Sequence, residues 1–485
     1  MKKATPVCFS KPVILLCLFL TCSSLWGQTD TIEDNVYSVE ELLAGYIAHD
    51  SEIQSLLIQL EKSQLSKKSA DISSGFNVNL STGNFTMSAD TMKLEPSVSV
   101  SVPKWNNVSV SASVPVNIVN KNDKTQLEGA SVSVGADIIG GSGKQTQLSV
   151  LTAERSLLEA QRAIENRALS AEKEFYTTLK NIYSQYGNVL TAQNDVYDKQ
   201  IDLETVRIGG YSTSSSSYRT AELELMTAER KVLQLERELQ RSLNLFAKDC
   251  GLSMGVLTVD TLPMVDTVVI QSGILDGPYT DTLENFSAMD SAQWNLTSAQ
   301  LSKEAAGMVT LSAQGGYTYK NQQQKGSDTI DVGVTLNTFG ANLKGGLIFP
   351  VTGDSKVPSA QLSLSWSPDF MREQSIQQKQ NTLNVELAQL KIADAEEEYY
   401  LALEAHELTW TDLMWNRQVK SEEYALYEQL ASDTETWYKQ GLVSETDYRR
   451  AMTNRDNALL QTYLSDIDLI LNSIETKQMF IQETK

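Results

Sequence analysis

The period of the polar and apolar positions changes along the chain, and it does so twice in the same order. Val39, Leu42, Leu43, Tyr46 and Ile47, then Ile53, Leu56, Leu57 and Leu60, recur at three- and four-residue spacing, which predicts helix over 37–73. Between 75 and 139 the period drops to two. Ser and Val alternate over 97–102 and 108–114, and again from Ala130 to Val134, which predicts strands. A face of small polar side chains opposite a face of valines suits a barrel wall between lipid and water. It equally suits a soluble β-sandwich, and the local pattern leaves both open. From about 144 good helix formers dominate, and no proline falls between 116 and 262. Very long helices are therefore permitted. Two glycines and a serine run at 208–217 mark a turn, after which Val232, Leu235, Leu239, Leu243 and Phe246 resume the helical stripe.

The sequence then restarts. Gly251, Gly255, Pro263, Gly273, Gly277 and Pro278 make 251–283 linker-like, 284–306 is expected to be helical, and 308–366 returns to strands. After Pro368 the chain has no further proline and one glycine, Gly441. This predicts a helical hairpin turning at Gly441, with a first arm over 370–439 of about 100 Å at 1.5 Å per residue. Ile376, Leu383, Leu387, Leu390 and Leu403 lie near a heptad seam on that arm. Leu459, Tyr463, Ile467, Ile470 and Ile474 form a stripe on the return arm, and such seams pack as coiled coils.

Two short words support an internal duplication. Gln64-Leu-Ser-Lys recurs at Gln300-Leu-Ser-Lys before the strands, and Tyr218-Arg-Thr-Ala is matched by Tyr448-Arg-Arg-Ala after the turn. The expected organisation is a signal peptide at 1–27 and a helical segment at 28–73. Strands of the first repeat follow at 74–142, its helical hairpin at 143–250 and a linker at 251–283. The second repeat has a helix at 284–306, strands at 307–367 and a hairpin at 368–485. The fold class is α+β and mainly α.

Lys2, Lys3 and Lys11 before the apolar run Val13 to Leu20 read as a secretory signal. Cleavage after Gly27 is preferred over lipidation at Cys22. That apolar run is too short to span a bilayer, which needs about 20 residues, and no second one reaches that length. Any membrane crossing must be made by strands in a closed barrel. Loss of 1–27 removes Cys8, Cys17 and Cys22 and leaves Cys250, so an internal disulfide is excluded. It also removes three lysines and no acids from a chain of 40 Lys+Arg and 61 Asp+Glu, leaving 37 against 61 and a net charge of −24. Such a surface repels nucleic acid. The acidity fits plain solubility, or a tunnel wall that favours cations.

No catalytic constellation emerges. His49 and His406 are the only histidines. No metal-ligand cluster, phosphate-cradling glycine loop or nucleophile elbow is present, so an enzyme, a cofactor and a bound metal are not expected. The turn at Gly441 explains itself structurally: Ser444-Glu-Thr-Asp447 fits a capping box, and Gly441 suits the left-handed residue that ends a helix.

The order helix, strands, long hairpin, given twice, resembles the TolC-like outer-membrane efflux factor family over nearly the whole mature chain. The best local match is Tyr438-Lys-Gln-Gly-Leu-Val-Ser-Glu-Thr-Asp447 followed by Tyr448-Arg-Arg-Ala451, similar to the family's periplasmic tip. The resemblance implies a homotrimer with four strands from each copy in one shared transmembrane β-barrel, above an α-barrel tunnel of helices. It implies a periplasmic adaptor and an inner-membrane pump as partners, and outer-membrane lipid around the barrel. Gly441, Leu442, Val443 and Ser444 fall where the family touches its adaptor, as do Gly209 and Gly210 in the first repeat. Asp447 and Tyr438 fall at the pore constriction. The first-repeat turn at 209–217 lacks the Gly-Leu-x-Ser word and any acid, and each half offers about four strand candidates where the family needs two. Trp105, Trp366 and Phe349 suit interface aromatics or core packing equally. The competing readings are a surface or periplasmic coiled-coil adhesin, and a simple porin, against which the proline-free helical arms argue.

Overall fold

The computed structural model describes residues 37–481 apart from 84, 89–90, 120–123, 264–281, 308, 323–324, 339 and 353–356. The expected signal peptide, with Cys22 and the cut after Gly27, and the middle of the 251–283 linker lie outside the described residues. The chain is mainly helical with antiparallel strands, and divides into two compact units. One takes the stretches up to Leu57, Arg162–Ser287 and Glu397 onwards; the other takes Ile58–Gln161 and Ala288–Glu396. The first half runs α1 (Val39–Ala48), α2 (Ser51–Ser74), eight strands, α3 (Ser142–Ile208) and α4 (Ser216–Asp249). The second runs α5 (Ser287–Ala305), four strands, α6 (Pro368–Lys439) and α7 (Glu445–Met479). Among the described residues no helix is long and apolar enough to cross a membrane.

The first unit is built from helices. Phe175, Leu179 and Ile182 of α3, Leu243 and Phe246 of α4, and Leu460, Ile467 and Ile474 of α7 form its core, with Leu257 and Leu262 beyond α4. α7 is buried along much of its length. It runs antiparallel to α3 in a register that polar pairs read out directly. Gln478 donates to Ser170 at 3.1 Å, Lys173 meets Glu475 at 2.9 Å, and Lys180 meets Asp468. Asn194 donates to Asn454 at 2.7 Å, and Arg450 meets Asp198 at 2.9 Å. One partner's number falls as the other's rises, residue for residue, so the two halves of the chain are pinned at one register. Half-exposed pairs contribute little stability each; their work here is to exclude other registers.

α6 departs from the expected seam. Ile376, Leu383, Leu387 and Leu390 are exposed, while the buried residues of α6 are Asn381, Ala388, Ala395, His406, Ala431 and Thr434. Small and polar side chains face inward on α6, and the leucines stay more than half exposed. Opposite α7, His406 hydrogen-bonds Thr476 at 2.8 Å and Arg417 donates to the buried Asp466 at 2.5 Å.

The second unit holds the strands β1 (Asn77–Ser81), β2 (Phe85–Met87), β3 (Thr91–Leu94), β4 (Ser97–Val102), β5 (Val108–Ser113), β6 (Val116–Val119), β7 (Lys124–Leu127), β8 (Gly129–Ile139), β9 (Val309–Gln322), β10 (Lys325–Thr338), β11 (Ala341–Thr352) and β12 (Ser359–Trp366). Eight of them make one antiparallel sheet in the order β1-β4-β5-β8-β9-β10-β11-β12, and β2-β3-β6-β7 make a second. Four strands per chain were implied by the family resemblance; the sheet holds eight, four from each half. The smaller sheet is the continuation of the same hairpins. Pro96 separates β3 from β4 and Pro115 separates β5 from β6, and a proline has no N–H to give to a ladder. Pairing resumes beyond them, with Leu94 opposite Val116.

Candidate functional site

The two hairpin turns, both in the first unit, are built alike. Gly210 has φ 75° and Gly441 has φ 73°, the left-handed conformation that closes a helix and that glycine adopts without strain. In each turn the following residue reaches back across the last helical turn: Tyr211 N–H donates to Val206 at 3.4 Å and Leu442 N–H to Trp437 at 2.9 Å. Each return helix starts on a serine cap. Ser215 accepts from the Tyr218 N–H at 3.3 Å, and Ser444 from the Asp447 N–H at 3.1 Å. The first-repeat turn is thus a longer version of the second, although its sequence lacks the word found there. Gly209 precedes the left-handed residue, and Leu442 and Tyr211 stand exposed at the two tips.

The expected capping box at the second turn forms only in part. At Ser38 the box is complete, because the Glu41 carboxylate accepts from the Ser38 N–H at 3.2 Å. Asp447 is one methylene shorter. Its carboxylate instead accepts from the Ser444 hydroxyl at 2.7 Å and from Arg450 at 3.3 Å. Arg450 also holds Asp198, so it ties the return helix to α3 and offsets part of the negative charge at Asp447. Tyr438 stacks on Tyr448 across the hairpin, with ring centroids 5.0 Å apart and planes 4° from parallel. Val443 is half-buried between the exposed Leu442 and Ser444. The structure therefore gathers Tyr438, Gly441, Leu442, Val443, Ser444 and Asp447 at one turn. Sequence reasoning passed over Arg450, which lies three residues past Asp447 on the same helix face.

Burial sets the titration of the groups behind these turns. The His406 imidazole is pushed below its ordinary value, the Asp466 carboxyl is raised against the opposing pull of Arg417, and the Cys250 thiol is pushed up to about 12. None of the three lies at the tips. Among the described residues no group of His, Cys, Asp and Glu is placed to hold a metal ion.

The second candidate surface is the eight-stranded sheet, and its register sorts the faces. One hydrogen-bonded row reads Val78, Val100, Val110, Val134, Gly315, Val332, Leu347, Ala360. A neighbouring row reads Asn77, Ser101, Ser109, Gly135, Gln314, Gly333, Gly346, Gln361. The alternation seen in single strands is thus in phase across all eight. On the polar face the hydroxyls of Ser111 and Ser133 pair at 2.7 Å and those of Ser113 and Ser131 at 2.8 Å. Among the described residues nothing covers the apolar face: Val98, Val132, Val332, Leu347 and Leu364 are all exposed. A soluble sandwich buries that face against a second sheet.

Aromatic residues mark both limits of the apolar face. Tyr317 and Phe349 flank Ile330 in one row. Trp366 pairs with Ala341 at the other end, and Trp105 lies in the β4–β5 turn, also exposed. Phe349 to Ala341 is roughly 26 Å along the strand at ~3.3 Å per residue, or about 20 Å upright at a tilt of ~40°, close to the apolar band of a membrane barrel. Tyr317 escaped the sequence reading because its place in a rim shows only once cross-strand register is known.

Two family models match the chain in succession: the TP096X N-terminal domain over residues 42–267 and the TP096X C-terminal domain over residues 280–483. No curated protein matches. Solved structures similar to the chain include a membrane protein from Pseudomonas aeruginosa, at 13% identity and TM-score 0.48, covering 99% of this chain and 95% of that one. The outer membrane protein VceC from Vibrio cholerae is similar at 12% identity and TM-score 0.47, covering 91% and 96%. The Campylobacter jejuni CmeC outer membrane channel is similar at 12% identity and TM-score 0.45, covering 95% and 92%.

Proposed function

From a chain that carries the two TP096X domains in order, we propose that it is one copy of a homotrimeric outer-membrane exit duct and has no catalytic role. The sheet sits in the outer membrane and the helices form a periplasmic tunnel. The duct serves a tripartite efflux or type I secretion system with a periplasmic adaptor and an inner-membrane pump. The observation that carries this reading is the two-faced sheet. An apolar face running in phase through eight strands and left uncovered is ruinous in water and is what lipid requires. A coiled-coil adhesin has no use for it. The helical repeat separates the protein from a porin, and the exposed stripes on α4 (Leu223, Met226, Leu233) and α6 (Leu401, Leu408, Trp415) are faces for neighbouring copies.

In this reading the turn residues Gly209, Gly210, Gly441, Leu442, Val443 and Ser444 meet the adaptor. Asp447 and Tyr438 line the constriction: three Asp447 carboxylates about one axis repel anions and concentrate cations, moderated by Arg450, while the Tyr438–Tyr448 stack stiffens the turn. The test is single-channel conductance of the detergent-extracted protein in a planar bilayer, beside Asp447→Ala. A small cation-selective conductance, whose selectivity falls in the variant, is expected. A stable protein that never inserts or conducts would sink the duct.

A further inference from the structure

We infer that the barrel wall carries eight strands from every copy, closed by pairing β12 of one copy with β1 of the next, so that a trimer encloses a single barrel of twenty-four strands. This rests on the membrane reading above and departs from the four strands per copy that the family resemblance implies.

The argument starts from the edges. Within the chain β1 and β12 each have one neighbour in the eight-stranded sheet. Both edge strands continue the apolar face, through Val78 and Leu80 on β1 and Leu362, Leu364 and Trp366 on β12, and every residue of β12 is exposed. The edges therefore belong to the membrane wall and are not flaps beside it. A row of unpaired N–H and C=O groups is intolerable in lipid, where no water can satisfy it, so each edge must meet another strand.

The chain's own opposite edge is the alternative partner, and burial argues against it. An eight-stranded barrel is narrow enough that inward side chains fill it. Among the described residues no side chain on these eight strands is buried; Gly129, which has none, is the only buried position. The sheet carries serines, threonines and glycines on a polar face that, among the described residues, buries no side chain. Pairing to another copy meets no obstacle of direction. Each neighbour in the sheet is antiparallel to the last, so β1 and β12, at the ends of an even set, run oppositely. β12 of one copy then meets β1 of the next in the same antiparallel sense. The contact is head-to-tail, and a cyclic arrangement closes it with no edge left over.

The test uses the full chain assembled in membranes. One cysteine is placed on the polar face of β1 (at Asn77, Asn79 or Ser81) and one on that of β12 (at Gln361, Ser363 or Ser365), in all nine combinations, with single-cysteine controls. After oxidation, a non-reducing gel is expected to show a ladder ending at a covalent trimer for the combinations in register. Intrachain disulfides alone would overturn the proposal in favour of a self-closed barrel. No cross-link in any of the nine, in protein that still conducts, would also overturn it while leaving the duct reading intact; protein that neither inserts nor conducts would sink both. Electron microscopy of the wild-type particle supplies a measurement free of substitutions. At ~4.8 Å between strands and ~40° of tilt, twenty-four strands give a wall about 48 Å across, against about 24 Å for twelve and about 16 Å for eight. A diameter near either smaller value would refute the inference.

Discussion

Val334→Arg puts the membrane assignment at risk in the most direct way. Val334 lies on the apolar face of β10, two apolar positions from Ile330 in the Tyr317–Phe349 row, and its cross-strand partners are Ala313 and Gly345. It is 42% exposed in the chain, so a longer side chain meets no steric barrier there. The nearest acid on the same face of the strand is Asp328, about 20 Å away at ~3.3 Å per residue. An arginine at the middle of a barrel's lipid face costs roughly 2–4 kcal/mol, a factor of about 30–700 in the folding equilibrium at ~1.4 kcal/mol per tenfold. In the proposed trimer three copies make that about 6–12 kcal/mol. Loss of a β-branched residue from a strand accounts for no more than ~1 kcal/mol of this. The control is Gln314→Arg, next to Ala313 but on the polar face, where a charge remains in water and the cost is expected within about 0.5 kcal/mol of zero. The assay is urea unfolding of the protein in lipid vesicles, scored with the yield of heat-modifiable oligomer in the outer-membrane fraction. Equal stability for the two variants would refute the assignment of the valine face to lipid.

Arg417→Leu leaves the Asp466 carboxylate, 3% exposed, without its partner, and a loss of about 3–5 kcal/mol is expected in the helical unit, smaller in acid because burial already raises the Asp466 pKa; a loss under ~1 kcal/mol by denaturant titration would contradict the pair's importance. For His406, burial holds the folded-state pKa below 6.5. Above 6.5 both states are neutral; as pH falls from there through the lower folded value, the unfolded chain takes the proton first and stability drops, then levels. His406→Gln should flatten that part of a urea midpoint against pH curve. Cys250, buried and with its thiol pushed up to about 12, should resist maleimide at pH 8 until the protein is denatured; rapid labelling of the folded protein would show that its cover opens.

What could be read from the sequence follows from which interactions are local. Helix formers without proline over 144–208 and 369–439 fix long helices by local propensity alone, and the Ser-Val runs fix strands by period. The turn at Gly441 was readable because one glycine and one serine carry its backbone geometry. The equivalent turn at Gly210 was harder to recognise as its twin: two extra residues between the glycine and the capping serine hide the spacing, and the similarity lies in hydrogen bonds to Val206 and Trp437. Half the capping box at Asp447 failed for want of one methylene. What no local reading could give was register. Whether the valines of β4, β5 and β8 fall on one face, and whether Tyr317 meets the row of Phe349, depends on how separate strands pair and not on the pattern within any one of them.

The misread seam on α6 is the most instructive case, because the pattern was right and its partner was wrong. Ile376, Leu383, Leu387 and Leu390 do form a stripe, yet the chain buries Asn381, Ala388 and Ala395 and leaves the leucines in the open. A helix of this length gains its stability from packing, not propensity, so a leucine stripe kept at heptad spacing and presented outward is, in the proposed trimer, a face for another copy. The same reasoning applies in the second unit to the edges β1 and β12 and in the first to Leu223, Leu233, Leu408 and Trp415. Each unit, taken by itself, leaves large apolar side chains exposed outside its own packing: Leu223, Leu233, Leu408 and Trp415 in the first, and the valine face and the leucines of α6 in the second. A chain folding alone would carry those exposed surfaces at a cost that only lipid on one face and identical neighbours at its flanks remove together, so insertion and oligomerisation should be one cooperative event. A stable, monodisperse, detergent-free monomer would break that link.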